Sequence, residues 1–328
     1  EYAAWQGAAR AVGCANGTDA LTLALRGLGI GPGATVVTVS HTAVATVAAI
    51  EMVGATPLLL DIDPDTYTMD AEELEAVLAD PPPGLPPIRA VIPVHIYGQS
   101  CDLAPMLAAA QRHGVAVIED CSQAHGATYA GRKVGNHGQV ACYSLYPTKN
   151  LGALGDGGVL TTDDTALADR IGAIRQYGWK ERYISAEVGV NSRLDELQAA
   201  ILRVKLQVLD ANNARRQAIA AAYDAALAGS RFTPPARRAG SGHVFHQYVL
   251  RVDDRAALMA RLRAEGVATA IHYPCPVHLQ PAYRGRTALG PANCAETARA
   301  AEQVMSLPMF PELTDQQVER ICAVLRKL

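Results

Sequence analysis

Lysine is scarce in this sequence. It occurs only at positions 133, 149, 180, 205 and 327, and arginine supplies the rest of the 29 basic side chains. Aromatic residues make up 5%, with three Phe, two Trp and 12 Tyr. The seven cysteines (14, 101, 121, 142, 275, 294 and 322) form no C-x-x-C pair and are odd in number. That pattern excludes a disulfide framework and a cysteine zinc site, and it reads as reduced thiols in a cytoplasm. No apolar run reaches the roughly 18 residues of a membrane helix. The opening Glu1-Tyr2-Ala3-Ala4-Trp5 lacks a signal-peptide pattern, so a cytoplasmic protein with no membrane partner is expected. Excess positive charge is missing too: the net charge is −3 and the pI about 6.3. No nucleic-acid partner is expected, and a polyanionic ligand must be met by a local site. Walker, G-x-S-x-G and H-E-x-x-H motifs are absent. The histidines show no ligand spacing, so no metal is expected.

What is present is alternation. Short β-branched or apolar runs at 35–39, 56–61, 89–94, 115–119, 139–145 and 158–161 read as strands. Helical patterns lie between several of them, at 18–28, 41–53, 70–79 and 102–113. This predicts an α/β fold with a mostly parallel sheet covered on both faces, and ligands at the carboxyl ends of its strands. A long helical stretch spans 191–229. A strand at 247–252, a helix at 254–265, an extended His-Tyr-Pro segment and a final helix follow, as in a smaller α+β domain. The boundary is placed near residue 210, giving domains 1–210 and 211–328.

Three clusters can carry chemistry. Gly17-Thr18-Asp19 precedes an apolar helix. Glycine permits close approach, threonine suits an N-cap, and aspartate suits a first turn. The same tripeptide offers free N–H groups to a phosphate, whereas its plain reading is a capped helix. Glu119-Asp120 ends a strand, where a carboxylate can meet a ribose, a metal or a protonated ring nitrogen; Gln123 and His125 follow on the same rim. Lys149 lies in the turn after the strand at 139–145, where a solvated lysine is out of place. Its ammonium can lose a proton and form an imine, which arginine cannot do. The glycines at 152, 155, 157 and 158 follow this lysine and do not match a dinucleotide fingerprint. A phosphate cup, an acid and an imine-forming lysine together are what pyridoxal phosphate requires.

The runs Ala15–Leu21, Ile118–Ala127, Ser144–Gly152, Gly157-Gly158 and Gly189–Ala200 resemble, in order, those of the DegT/DnrJ/EryC1/StrS sugar aminotransferases. The resemblance implies a type I aminotransferase fold, pyridoxal or pyridoxamine phosphate as cofactor, and a homodimer with shared active sites. It implies that Lys149 forms the internal aldimine and serves as proton shuttle, with Asp120 pairing with the pyridine nitrogen. Gln123 would meet the ring hydroxyl, and Gly17, Thr18 and Ser144 the phosphate, helped by Asn191 from the partner subunit. As a bland alternative, Asn191 or Ser192 caps the following helix. Relatives begin a few dozen residues earlier, so the chain is expected to lack that segment. Many carry an aromatic residue where Ala43 stands, which leaves the ring-stacking group open; His41 is one candidate, and a helix cap is its alternative.

The segments Gln176–Ser185 and His272–Gln280 resemble the subgroup acting on dTDP-keto-6-deoxyhexoses, with amination at C3 favoured over C4 and glutamate as donor. Tyr183 and His278 are candidate sugar-nucleotide contacts, and each has an ordinary packing role as its alternative. Two other readings keep the fold. A sugar dehydratase would be expected to carry histidine at the position of Lys149. A cofactor-binding regulator would bind without turnover.

Overall fold

Thr35-Val36-Val37-Thr38-Val39 is extended, as its β-branched composition favours, and is buried along its whole length. It belongs to the central sheet of a computed structural model that describes residues 1–328. In chain order the elements begin with α1 (Tyr2–Gln6), β1 (Arg10–Cys14), α2 (Gly17–Gly27), β2 (Thr35–Val39), α3 (Ala45–Met52) and β3 (Thr56–Leu60). Next come α4 (Ala71–Ala79), β4 (Ile88–Val91), α5 (Leu103–His113), β5 (Ala116–Asp120), the short β6 (Thr128–Tyr129) and β7 (Arg132–Lys133), and β8 (Val140–Ser144). β9 (Gly158–Thr162), α6 (Thr165–Ile174), a ribbon of β10 (Trp179–Glu181) and β11 (Ile184–Ser185), α7 (Glu196–Leu206) and α8 (Leu209–Leu227) follow. The chain ends with β12 (Ser241–Gly242), β13 (Tyr248–Arg251), α9 (Arg255–Ala264), β14 (Ala288–Leu289), α10 (Ala295–Gln303), β15 (Val304–Leu307) and α11 (Asp315–Leu325).

Eight strands form one sheet in the order β1-β9-β8-β5-β4-β2-β3-β14. Every pairing from β8 to β14 is parallel, and β9 runs antiparallel to both its neighbours. This is the mostly parallel α/β sheet that the alternation predicts. Helix α2 is buried nearly all round because it lies on the sheet and is roofed by α3 and α6. No helix is long and apolar enough to cross a membrane.

Several elements depart from expectation. The stretch 191–229 is two helices that break at Gln207 and Val208. The helix expected from 41 starts at Ala45, which frees 41–44 to run past the sheet's carboxyl edge. β1, α6, β14 and α10 had no forecast. The C-terminal region builds its own core from Tyr223, Tyr248, Leu262, Met305 and Ile321, around the β13–β15 pair. β14 nevertheless returns to the large sheet, and Asp61 accepts from the Glu296 and Thr297 N–H groups at 2.7 and 2.8 Å. A division near residue 210, at the start of α8, is therefore kept as a proposal.

Candidate active site

The sheet places two strand ends side by side. β5 ends on Asp120, β8 ends on Ser144, and the two run parallel in register. Beyond them opens a cavity of about 270 Å³ whose walls include Gly17, Thr18, Asp120, Gln123, Ser144 and Lys149. Six of the predicted residues, from segments over a hundred positions apart, thus share one pocket.

The end of the pocket at α2 is built by close approach. A Cβ on Gly17 would lie 2.7 Å from the Cβ of Ser144, so only glycine lets the first turn of α2 touch β8. The cap is Asn16, whose Oδ1 accepts from Asp19 N at 2.8 Å, and not Thr18. Thr18 instead sits inside the first turn. The N–H groups of Gly17 and Thr18 have no intrahelical acceptor there, so they are open to an anion at the positive end of the helix. Asp19 in turn accepts from Ser192 Oγ at 2.6 Å, and that hydroxyl also takes Ala15 N at 3.1 Å. Ser192 thus braces the cup. Asn191 beside it is exposed and outside the wall of its own chain's pocket, and α7 is N-capped by Asp195, so neither Asn191 nor Ser192 caps that helix.

Asp120 is 4% exposed, with Oδ2 accepting from Thr46 Oγ1 at 2.9 Å and Oδ1 from Ser122 N at 3.1 Å. Thr42 Oγ1 lies 2.9 Å from Thr46 Oγ1 and extends this support. Gln123 is held at both ends: Oε1 accepts from Tyr97 N at 2.7 Å, and Nε2 donates to Tyr273 OH at 2.9 Å. One Nε2 hydrogen stays free for a ligand.

Lys149 is half-buried, and its Nζ has no hydrogen-bond partner in the chain. Burial lowers the pKa of its ammonium, and the Asp120 carboxylate offsets only part of this. A larger fraction is therefore the neutral nucleophile than in a solvated lysine. Burial, with the Lys149 charge beside it, pushes His125 down to about 3, so that imidazole is neutral.

The other predicted contacts lie elsewhere. His41 is buried, its Nε2 2.6 Å from Tyr97 OH; it neither walls the pocket nor caps α3, whose N-cap is Val44. His278 is buried against Ser40, Nδ1 to Oγ 2.7 Å. Tyr183 is 71% exposed on the β10–β11 ribbon. The only aromatic ring in the pocket wall is Tyr146. Thr42, Thr46, Tyr97 and Asp156 join the site without a sequence signal, and Tyr273 joins it from the segment His272–Gln280.

Glu119 points away from the pocket. It accepts from the Gly135, His137 and Gly138 N–H groups at 2.7–2.8 Å and faces His95 Nε2 at 3.1 Å. Burial pushes its carboxyl up, but these hydrogen bonds outweigh that and hold it below its usual value. Cys121 completes a group with metal-like spacing. His95 Nδ1 already accepts from Cys101 N at 3.0 Å, so its ring nitrogens are both engaged and the cluster is a brace. A separate cleft of about 330 Å³ beside α1 and α7 is lined mostly by aliphatic side chains and holds no such chemistry.

The chain is similar to known proteins along its length. The model of the DegT/DnrJ/EryC1/StrS aminotransferase family matches residues 1–326. The UDP-N-acetyl-3-dehydro-α-D-glucosamine 3-aminotransferase of Acidithiobacillus ferrooxidans is 44% identical, over all of this chain and 86% of that protein. The dTDP-3-amino-3,4,6-trideoxy-α-D-glucose transaminase of Streptomyces venezuelae is 43% identical, over all of this chain and 85% of that protein. The crystal structure of S. venezuelae DesV in complex with a ketimine intermediate superposes with a TM-score of 0.94 at 42% identity, covering 99% of this chain and 86% of that one. The chain belongs to the DegT/DnrJ/EryC1/StrS family and is a pyridoxal-phosphate-dependent sugar aminotransferase of the type I fold.

Proposed function

We propose that this enzyme moves an amino group from glutamate to a ketone of a dTDP-keto-6-deoxyhexose, at C3 in preference to C4. The carrying observation is the pocket itself: a buried carboxylate, an unpartnered lysine and a glycine-made anion cup on one sheet edge. The names of the two curated relatives support the position, since both place the amine at C3 of a nucleotide sugar.

Pyridoxal phosphate, when bound, supplies the electron sink that allows a C–H bond beside an amine to break. Gly17, Thr18 and Ser144 hold its phosphate in this reading. Asp120 would pair with the protonated ring nitrogen, and the free Gln123 amide hydrogen would be available to the ring hydroxyl. Lys149 would hold the cofactor aldehyde through its amine, and the same amine, when free, would take up and return the proton at the carbon beside the donor amine. Asn191 is offered to the pocket of a second copy. Tyr183 reaches substrate only in that way. Exposed Ile184, Val188, Leu197 and Val204 support such a homodimer, whose test is the mass in solution by light scattering. His41 and His278 act as packing for the edge that bears the site.

Assaying 3-keto and 4-keto dTDP-sugars side by side with glutamate tests the substrate; a UDP-sugar turned over in preference to both contradicts it. Cofactor removal allows two further checks. Capture of pyridoxal phosphate by the stripped protein should rise with pH around a midpoint below the ordinary lysine value of about 10.4. The sign follows from burial, since a lowered pKa frees the amine at lower pH; a midpoint at or above that value contradicts it. Gly17→Ala should weaken cofactor binding roughly ten- to hundredfold, the consequence of about 1–3 kcal/mol of overpacking against Ser144. Unchanged binding in a fluorescence titration would remove Gly17 from the cup.

A further inference from the structure

Lys149 has four rotatable side-chain bonds and no hydrogen bond on its head, so its aim depends on its backbone. One end of that backbone is an ordinary turn, with Lys149 N donating to Tyr146 O at 2.9 Å. The other end is Asn150, and there the bonding is unusual. Asn150 Nδ2 donates to Asn213 Oδ1 at 2.9 Å and to Val244 O at 3.1 Å. Asn150 Oδ1 lies 3.1 Å from His246 Nδ1. A carbonyl such as Val244 O can only accept, which fixes the amide's orientation and makes His246 Nδ1 the donor. Every polar atom of the side chain is engaged, across separations of 63, 94 and 96 residues.

The partners come from the C-terminal part of the chain. Asn213 lies on α8, and Val244 and His246 lead into β13. Asn213 is 6% exposed and passes the link back to the Asp120 side, donating to His125 O at 2.8 Å. Room for that amide is made by Gly126, where a Cβ would lie 2.8 Å from Asn213 Nδ2.

We infer that Asn150 is a positioning residue whose amide, through Asn213 and His246, ties the turn bearing Lys149 to the C-terminal region and sets where the lysine head can reach. The inference rests on Lys149 being the reactive lysine. Losing the tie lets the turn relax toward solvent, so the lysine loses both its aim and the burial that lowers its pKa. A misplacement of about 1 Å at a reacting group costs as much as roughly 100-fold in rate.

The test uses the full-length holoenzyme and the same protein stripped of cofactor. Asn150→Ala should lower kcat roughly 10- to 100-fold, with KM for the nucleotide sugar unchanged. In the stripped protein, the pH midpoint for capturing pyridoxal phosphate should rise toward that of a free lysine. Asn213→Ala should act in the same direction, and the double variant should be no worse than Asn150→Ala, because the two share one network. Trp5→Phe, which removes the Trp5 Nε1 bonds to Asp210 at 3.2 Å, is the control for loss of a contact to α8 alone; it should leave kcat and the midpoint as they are. Both shifts are required in Asn150→Ala: a wild-type kcat, or a midpoint that stays in place, overturns the inference. Borohydride trapping on wild-type protein shows separately whether Lys149 is the reactive lysine.

Discussion

Lys149→Ala should fold, bind pyridoxamine phosphate, and transfer no measurable amine. The fold survives because Nζ has no hydrogen bond to lose, and removing a half-buried cation relieves a desolvation cost. On the proposed function the chemistry does not survive, because the side chain is there both the anchor and the group that moves the proton. General acid–base transfer alone is worth roughly 10²–10⁴-fold, so kcat should fall by at least that much. Turnover with glutamate and a keto-sugar nucleotide measures it. Retention of full activity would show that another group does this work, and the remaining lysines offer no substitute. Lys133 is stacked over the Trp5 ring, and Lys205 donates to Gly152 O at 2.7 Å.

Asp120→Asn should cost roughly 10²–10³-fold in kcat, the scale for removing a preorganised electrostatic partner from a water-poor site. The substitution keeps the shape: the amide oxygen can still accept from Ser122 N while the amide NH2 donates to Thr46 Oγ1, so the melting temperature should change little. It also has a second signature. The Asp120 carboxylate raises the Lys149 pKa, so its neutralisation should shift pyridoxal-phosphate capture to still lower pH. Loss of rate without that shift would place Asp120 away from the lysine and break the proposed geometry.

The parts of the site readable from sequence were those whose chemistry is local. Lys149 stood out because lysine is rare and its turn follows a strand. Asp120 stood out because it ends a strand and parallel strands gather their ends, whereas Ser144 was marked only by the family resemblance. Glycine at position 17 announced close approach, though the sequence could not say to what; Ser144 is the answer. Capping was misjudged because Asn16 and Thr18 are both good caps, and the choice rests on backbone angles that only the fold sets. β1 was missed because Arg10 and Gly13 dilute its strand character, which its antiparallel pairing with β9 restores. The roles of Thr46, Tyr97 and Tyr273 were illegible because they come from contacts across 74, 26 and 150 residues. His41 and His278 carry the chemistry of a ligand contact, but burial turned both toward internal partners.

The central claim is that Lys149, and no other lysine, carries the cofactor. Five lysines spread along 328 residues make this directly readable. Borohydride reduction of the holoenzyme, followed by protease digestion and mass mapping, should place the pyridoxyl-phosphate adduct on the peptide containing Lys149 alone. An adduct at Lys133, Lys180, Lys205 or Lys327 with Lys149 unmodified would contradict the account.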